Sequence, residues 1–400
     1  MVATAEFFAD SDYFAEPGKG YDGVVLVQCG NVYGTGSLLY DGRAVLTAAH
    51  VVDDPSGPVT VTFETSAGKE TVAVRKVLIH PAYDAWNSNN DLAILWLPQN
   101  APITANRYDI YRDSDEIEQV FTFSGYGRVG SGSTGALYYN SFELRLRAWN
   151  RFDADAAALK NVLGPIMNWT PLPGTQLIAD FDNGFFANDA LGLFINEPDL
   201  GLGKIEGLIA SGDSGEPAFI DGKVAGVASY VASLSYGWTH PDVDLYVNSS
   251  FGEIAAWQRV SAYQQWIDQS LRAQYPNAPT KPQEVKKEVL EGDRGTSYAY
   301  FLLQFTGERS DPEEWLSVDY ATRNGTAMAG SDYIPVSGTL ILYPGENQAV
   351  IPVEVIGDMK PEPDEYFYLD VFNPVGGSFG EGVVQLSAVR TIIDDDSWYG

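Results

Sequence analysis

Short apolar or alternating runs, each closed by turn residues, recur along most of the chain. That spacing confines it to an all-β architecture. Residues 24–27, 36–40, 59–63, 72–79 and 92–97 read as strands, separated by Asp41-Gly42, residues 55–58, Ala67-Gly68 and residues 87–90. Residues 298–305, 316–321, 338–343, 348–355, 365–372 and 383–393 repeat the pattern with β-branched and aromatic side chains, the spacing of a β-sandwich. One segment departs clearly: Val260, Tyr263, Trp266, Ile267 and Leu271 fall at three- and four-residue intervals, an amphipathic helix over Val260–Arg272. Beyond it, residues 274–284 hold three prolines in eleven positions. Proline fixes φ and cannot join a ladder, so this stretch reads as a semi-rigid linker. The expected organisation is an extension over 1–20, a first domain over 21–272, a linker over 273–283 and a second domain over 284–397. Residues 131–205 give little strand signal and a short helix at 154–163.

Composition narrows the function. Cys29 is the single cysteine among 400 residues, which excludes an intramolecular disulfide and a cysteine-built zinc site. His50, His80 and His240 are too few and too scattered for a His-rich metal site. With 54 acids against 24 bases, the net charge of -30 excludes the basic face that a nucleic-acid partner requires. It also argues against an anionic membrane surface. No run approaches the ~18 apolar residues of a membrane span. The acidic first twenty residues are unlike a Sec-type signal peptide. Residues 281–400 hold 21 acids against 8 bases, and the rest 33 against 16 over more than twice the length. The acidity is therefore concentrated in the second domain.

Three segments of the first domain carry chemistry. In Leu46-Thr-Ala-Ala-His50, small residues after a strand leave room for an imidazole to face a substrate. In Asn90-Asp91-Leu-Ala-Ile-Leu, a carboxylate opens an apolar strand and can sit buried while orienting that imidazole. In Ser211-Gly-Asp-Ser214-Gly-Glu-Pro, a serine between glycines can present its hydroxyl on a tight turn beside bare backbone N–H groups. A serine hydroxyl needs an adjacent base to act as a nucleophile. His50 would supply the base and Asp91 would hold its tautomer. The amides of Gly212 and Ser214 would hold the oxyanion, each such donor typically worth about 2.7–4 kcal/mol of barrier.

In that order, and with Gly34-Thr-Gly-Ser-Leu-Leu upstream and the helix Val260–Arg272 at the end, these motifs resemble the trypsin-like, chymotrypsin-fold serine proteases over roughly residues 20–272. The resemblance implies two six-stranded antiparallel barrels with the active site between them, and a C-terminal helix. Where the family usually has Gly-Asp-Ser-Gly-Gly-Pro, Glu216 stands here, which would place a carboxylate on the leaving-group side. The family's disulfides are absent, with Thr35 and Val51 at positions where cysteines often sit. No Ile-Val-Gly-Gly activation site follows a basic residue, so Asp213 is expected to be paired without cleavage. Residue matching implies a pocket built from Leu208, Ile209, Ser229, Tyr230, Val231 and Ala255. That set has no carboxylate for a Lys or Arg guest and implies a shallow, elastase-like preference for small aliphatic residues.

The second domain carries Val289-Leu-Glu-Gly-Asp293, Val318-Asp-Tyr-Ala-Thr-Arg-Asn-Gly, Gly330-Ser-Asp-Tyr333, Gly357-Asp-Met-Lys-Pro-Glu-Pro-Asp-Glu365 and Thr391-Ile-Ile-Asp-Asp-Asp396. A lone acidic run is usually a solvated loop, but several in one module suit Ca²⁺, which takes 6–8 oxygen ligands. The segment resembles the Calx-beta domain, a seven-stranded sandwich with calcium at one end. The resemblance places ligands at Glu291, Asp332, Asp358, Glu362, Glu365, Asp394, Asp395 and Asp396. Met359 stands where some relatives have another carboxylate. In the first domain, Asp180-Phe-Asp-Asn-Gly184 has the spacing of a cation loop without the flanking helices and reads as a turn.

The sequence thus points to a serine endopeptidase acting on protein or peptide substrates, with an appended calcium-binding sandwich. The alternative is a calcium-dependent adhesion or matrix-interaction protein with an inactive protease scaffold, its sandwich meeting other extracellular proteins. The expected location is extracellular or on the cell surface, reached by a route that reads no N-terminal signal. An intracellular quality-control protease would also fit the missing disulfides.

Overall fold

The computed structural model describes residues 3–6, 11–54, 57–137 and 144–396. Parts of the expected extension (1–2 and 7–10) and of the turn at 55–58 lie outside it. Among the described residues, no helix is long and apolar enough to cross a membrane. The chain divides into two compact units, residues 1–264 and 265–400.

The first unit is built on two antiparallel sheets. One orders Gly68–Ala73, Val59–Thr65, Val24–Cys29, Val32–Leu38, Ala44–Thr47, Ala93–Trp96 and Lys76–Ile79. The run read as one strand over 72–79 is therefore two strands at opposite edges of the sheet. Only Val74 and Arg75 join them, and two residues reach only about 7 Å. The Val74 amide donates to Val59 O (2.9 Å) and the Arg75 amide to Trp96 O (2.7 Å). Adjacent residues thus bond to strands near opposite edges, so the sheet must close on itself.

The second sheet repeats the device. It orders Leu146–Arg151, Val120–Gly125, Pro217–Ile220, Lys223–Ala232, Ile254–Arg259, Gln176–Asp180 and Ala154–Asp155. Its edge strands are joined by Phe152 and Asp153. The Phe152 amide bonds Gln119 O and the Asp153 amide Ile178 O. With each bent pair counted as one strand, both barrels have six among the described residues. Phe121 stacks on Phe152 with centroids 3.9 Å apart, and the Trp257 edge meets Phe121 at 5.1 Å, filling the second barrel. A small third sheet contains Ala3–Thr4, parallel to Gly130–Ser131 and antiparallel to Gly207–Leu208. The start of the extension is therefore a strand of the first unit.

A Cβ added to Gly34 would lie 2.8 Å from both Val51 methyls, so Gly34, not Thr35, faces Val51. Thr35 turns elsewhere: its hydroxyl donates to Gly212 O (3.2 Å) and accepts from the Tyr126 amide (3.1 Å).

Among the described residues the second unit is a sandwich of seven strands. Five form one sheet, in the order Glu288–Leu290, Gln385–Ile393, Glu365–Val375, Leu316–Asn324 and Ser337–Leu342. Gly295–Gln304 and Gln348–Gly357 pair as the other. Tyr333 stacks on Phe367 at 4.5 Å and Phe301 meets the same ring edge-on at 5.9 Å, joining the two layers. The proline-rich stretch is tied to this unit. Pro276 O accepts from the Tyr300 hydroxyl (2.8 Å) and Thr280 O from the Gln348 amide (2.6 Å).

Candidate active site

His50 sits in a single 3-10 turn, Ala49–Val51, directly after the strand Ala44–Thr47. Ala48 and Ala49 are fully buried, so the turn packs tightly and the imidazole projects from it. Asp91 precedes the strand Ala93–Trp96, after Asn90 in the left-handed region (φ 54°). Asp91 is 1% exposed, and its carboxylate is fully engaged. Oδ1 accepts from the His50 amide at 2.9 Å, and Oδ2 lies 2.7 Å from His50 Nδ1. Oδ2 also accepts from the Ser229 hydroxyl at 2.6 Å. Across the ring, His50 Nε2 lies 2.7 Å from Ser214 Oγ. The three residues come from positions far apart in sequence and form one hydrogen-bonded line. Burial pulls the His50 imidazole down, but the Asp91 bond and charge outweigh it and hold the ring above its ordinary value.

The turn bearing Ser214 depends on glycine. Gly212 and Gly215 take φ of 97° and 84°. A Cβ on Gly215 would lie 2.2 Å from Thr35 O and from Thr47 Oγ1, so no other residue fits there. Among the described residues, the Gly212 and Ser214 amides donate to no other protein group. Asp213 is fully buried and accepts from the amides of Gly127 (2.6 Å) and Ala210 (2.9 Å).

Glu216 is not where the sequence reading put it. It has no exposed surface, and neither carboxylate oxygen has a hydrogen-bond partner among the described residues. It points inward beside Asp213 because Gly125 leaves the space: a Cβ there would lie 2.9 Å from the Glu216 carboxyl carbon and 2.5 Å from Asp213 Oδ1. Glu216 therefore places no carboxylate on the leaving-group side. Burial, then the charge of Asp213, push the Glu216 carboxyl well above its ordinary range.

A cleft of about 730 Å³, open solvent included, adjoins Ser214. Ile209, Ser229, Tyr230 and Val231 line it. Leu208 and Ala255 do not: both are fully buried in the core of the second barrel. The strand Gly207–Leu208 pairs with Ala3–Thr4, which fixes Leu208 in the sheet and leaves Ile209 as the first cleft residue. The Tyr230 hydroxyl donates to Gln176 (2.9 Å) and accepts from Trp169 Nε1 (2.9 Å), so this wall is braced. Arg128, Val247, Asn248 and Ser249 also line the cleft. They come from loops without periodicity, which left no signal in the sequence.

Residues 15–151 match the trypsin family model, and residues 294–396 match the Calx-beta domain model. The chain joins a trypsin-like domain to a Calx-beta domain. Sodium/calcium exchanger 2 from Homo sapiens is 37% identical over 108 residues, covering 24% of this chain and 12% of the exchanger. The Drosophila melanogaster sodium/calcium exchanger Calx is 41% identical over 107 residues, covering 24% and 11%. This chain thus spans about a tenth of the length of these relatives. The structure of neuropsin, a serine protease expressed in the limbic system of mouse brain, shares 18% identity. It covers 63% of this chain and 95% of its own, with a TM-score of 0.45.

In the Calx-beta domain the predicted acids fall into two groups. Asp332, Glu362 and Glu365 each bring a carboxylate oxygen within 4.8 Å of the others. Glu291 and Asp394 line the same small concavity. Burial, then the charges of Asp358, Asp394 and Asp396, push Glu291 up to about 7. Burial, then Asp332 and Glu291, do the same to Glu365. Other acids, and Asp394 as well, are spent partly on backbone. Asp395 accepts from the Gly292 amide (2.9 Å), Asp358 from the Lys360 amide (2.7 Å) and Asp394 from the Glu362 amide (3.0 Å). Met359 is 75% exposed and contributes no oxygen. All the converging donors are oxygens, the set that Ca²⁺ prefers.

Proposed function

We propose that the chain is a serine endopeptidase whose Calx-beta domain binds calcium. The observation that carries the hydrolase is the continuous line from Asp91 through His50 to Ser214 Oγ, with both steps at 2.7 Å. In this reading His50, neutral at the start, takes the Ser214 proton as Oγ attacks the scissile carbonyl. Asp91 keeps the N–H on Nδ1 and stabilises the imidazolium that forms. The Gly212 and Ser214 amides receive the oxyanion. His50 then passes its proton to the leaving amine, and water repeats the cycle to release the acyl group. Ser229 is a positioning residue, fixing the Asp91 oxygen that faces the ring.

For the residue before the scissile bond we propose a small aliphatic side chain. Val231 and Ile209 narrow the cleft, and among the described residues no Asp or Glu lines it to receive Lys or Arg. One methylene is worth only about 1–3 kcal/mol of discrimination, so the preference is broad.

Glu291, Asp332, Glu362, Glu365 and Asp394 would hold the ion. Calcium would neutralise carboxyls that otherwise repel one another and would rigidify that end of the sandwich. Such sites fill where calcium is plentiful, which supports a secreted or surface setting. Cleavage of a peptide library with and without calcium tests the reading. The expected result is cleavage after Ala or Val in both conditions; faster cleavage after Lys or Arg would overturn the pocket assignment.

A further inference from the structure

The protease unit holds a second set of acids, remote in sequence from the triad and outside the Calx-beta domain. Asp180 ends the strand Gln176–Asp180, Asp182 follows in the loop, and Asp189 caps the short helix Ala190–Ile195. They are 1%, 4% and 0% exposed. Each brings one carboxylate oxygen within 4.8 Å of the other two. Two ligand oxygens on one calcium, each at 2.3–2.6 Å, stand at most about 5 Å apart.

Buried carboxylates are normally paired with a cation or satisfied by hydrogen bonds. These are only partly so. Asp180 Oδ2 accepts from the Leu191 amide (2.7 Å) and Asp189 Oδ1 from the Gly192 amide (2.6 Å). Asp182 Oδ1 is buried and has no hydrogen-bond partner among the described residues. Asp189 Oδ2 likewise makes no well-formed hydrogen bond, although the Asp199 amide lies close enough to favour its charge. The surroundings add negative charge. Glu206 is 1% exposed and accepts from the Asp182 amide (2.7 Å), while Arg151 is engaged by Asp153 (2.8 Å) and Asp199 (2.9 Å). Space is reserved for the carboxylates. A Cβ on Gly192 would lie 2.1 Å from Asp189 Oδ2, and one on Gly201 would lie 2.0 Å from Glu206 Oε2 and 2.7 Å from Asp182 Cβ.

We propose that Asp180, Asp182 and Asp189 form a divalent-cation site in the protease unit, suited to a hard cation such as calcium because every donor is a carboxylate oxygen. The bound ion fastens the loop after Gln176–Asp180 to the helix Ala190–Ile195. Protons are the competing neutraliser: without a cation, burial, then the charges of Glu206 and Asp189, push Asp182 up to about 9.

The test separates this site from the sandwich and calcium from protons. The full chain carrying Asp332→Asn and Glu365→Gln is dialysed to equilibrium against radioactive calcium, with and without the further changes Asp182→Asn and Asp189→Asn. The expected result is one ion retained per chain in the sandwich variant and none once Asp182 and Asp189 are changed. No ion in the sandwich variant, or an ion that survives the change of Asp182 and Asp189, overturns the proposal. If the combined variant does not fold, hydrogen exchange on the sandwich variant decides. Calcium should slow exchange of the Leu191 and Gly192 amides at least tenfold, and unchanged rates there overturn the site.

Discussion

Replacing Asp91 by Asn should cripple turnover while leaving the fold in place, and the structure sets the size of the loss. Asp91 Oδ2 stands 2.7 Å from His50 Nδ1. With charge spread over both groups, the charge centres lie about 4 Å apart, worth about 4 kcal/mol to the imidazolium at an effective dielectric of about 20. The His50 side chain is 34% exposed, so that screened value is the appropriate one. About 4 kcal/mol is about 1,000-fold in rate. A second loss follows from hydrogen bonding. Ser229 and the His50 amide both donate to Asp91, and an Asn has one oxygen with which to accept. Its NH2 then faces Nδ1, the ring proton moves to Nε2, and His50 can no longer take the Ser214 proton. Together the losses should reach about 10,000-fold in kcat, the size attached to this change in the template Ser-His-Asp triad. The assay is kcat and KM against pH with a small-aliphatic peptide ester. The wild-type profile should rise through a pKa above 6.5, because Asp91 holds His50 up. The variant's ascending limb should move to lower pH, with KM little changed. A loss below tenfold, or a limb that stays in place, would refute the triad reasoning.

Other expectations rest on different parts of the molecule. Glu216→Gln should stabilise the chain at neutral pH. The folded state holds a proton on Glu216 that the unfolded chain releases above about pH 4.5, so wild-type stability falls as pH rises through that value. Melting at pH 4 and pH 8 checks it: the variant should match wild type at pH 4 and exceed it at pH 8, and the reverse order contradicts the burial argument. Val231→Gly should open the cleft and raise kcat/KM for Phe or Tyr substrates relative to Ala by about 10–200-fold, read by competition between peptides. Asp332→Asn with Glu365→Gln should abolish the sandwich's calcium-dependent stabilisation, about 2.7 kcal/mol when calcium is 100-fold above Kd. Calorimetry with added calcium or chelator measures it, and an undiminished shift would remove those acids from the site.

The readable and unreadable parts of this chain differ in how far apart their determinants lie. His50, Asp91 and Ser214 each sit in a short motif whose small residues and glycines announce a turn, and the structure draws the three into one line. The same holds for the sandwich, where acids recur at strand ends and Asp332, Glu362 and Glu365 converge. Side-chain direction was not readable. Glu216 looks exposed beside Ser214, and Gly125, far upstream, leaves the room for it to turn inward. Residue matching puts Leu208 and Ala255 in the pocket, but strand pairing carries them into the core and leaves the cleft to Val247, Asn248 and Ser249 among others. The apparent turn at Asp180 gained meaning only when Asp189 folded back onto it.

The central claim is that Ser214 is an activated nucleophile, and covalent labelling addresses it most directly. A fluorophosphonate probe added to the intact chain at pH 8 should form one adduct, mapped by peptide mass spectrometry to Ser214 and absent from Ser214→Ala and from His50→Ala. An unlabelled Ser214 in folded protein, or labelling that persists without His50, would contradict the account and leave the trypsin-like domain as a scaffold.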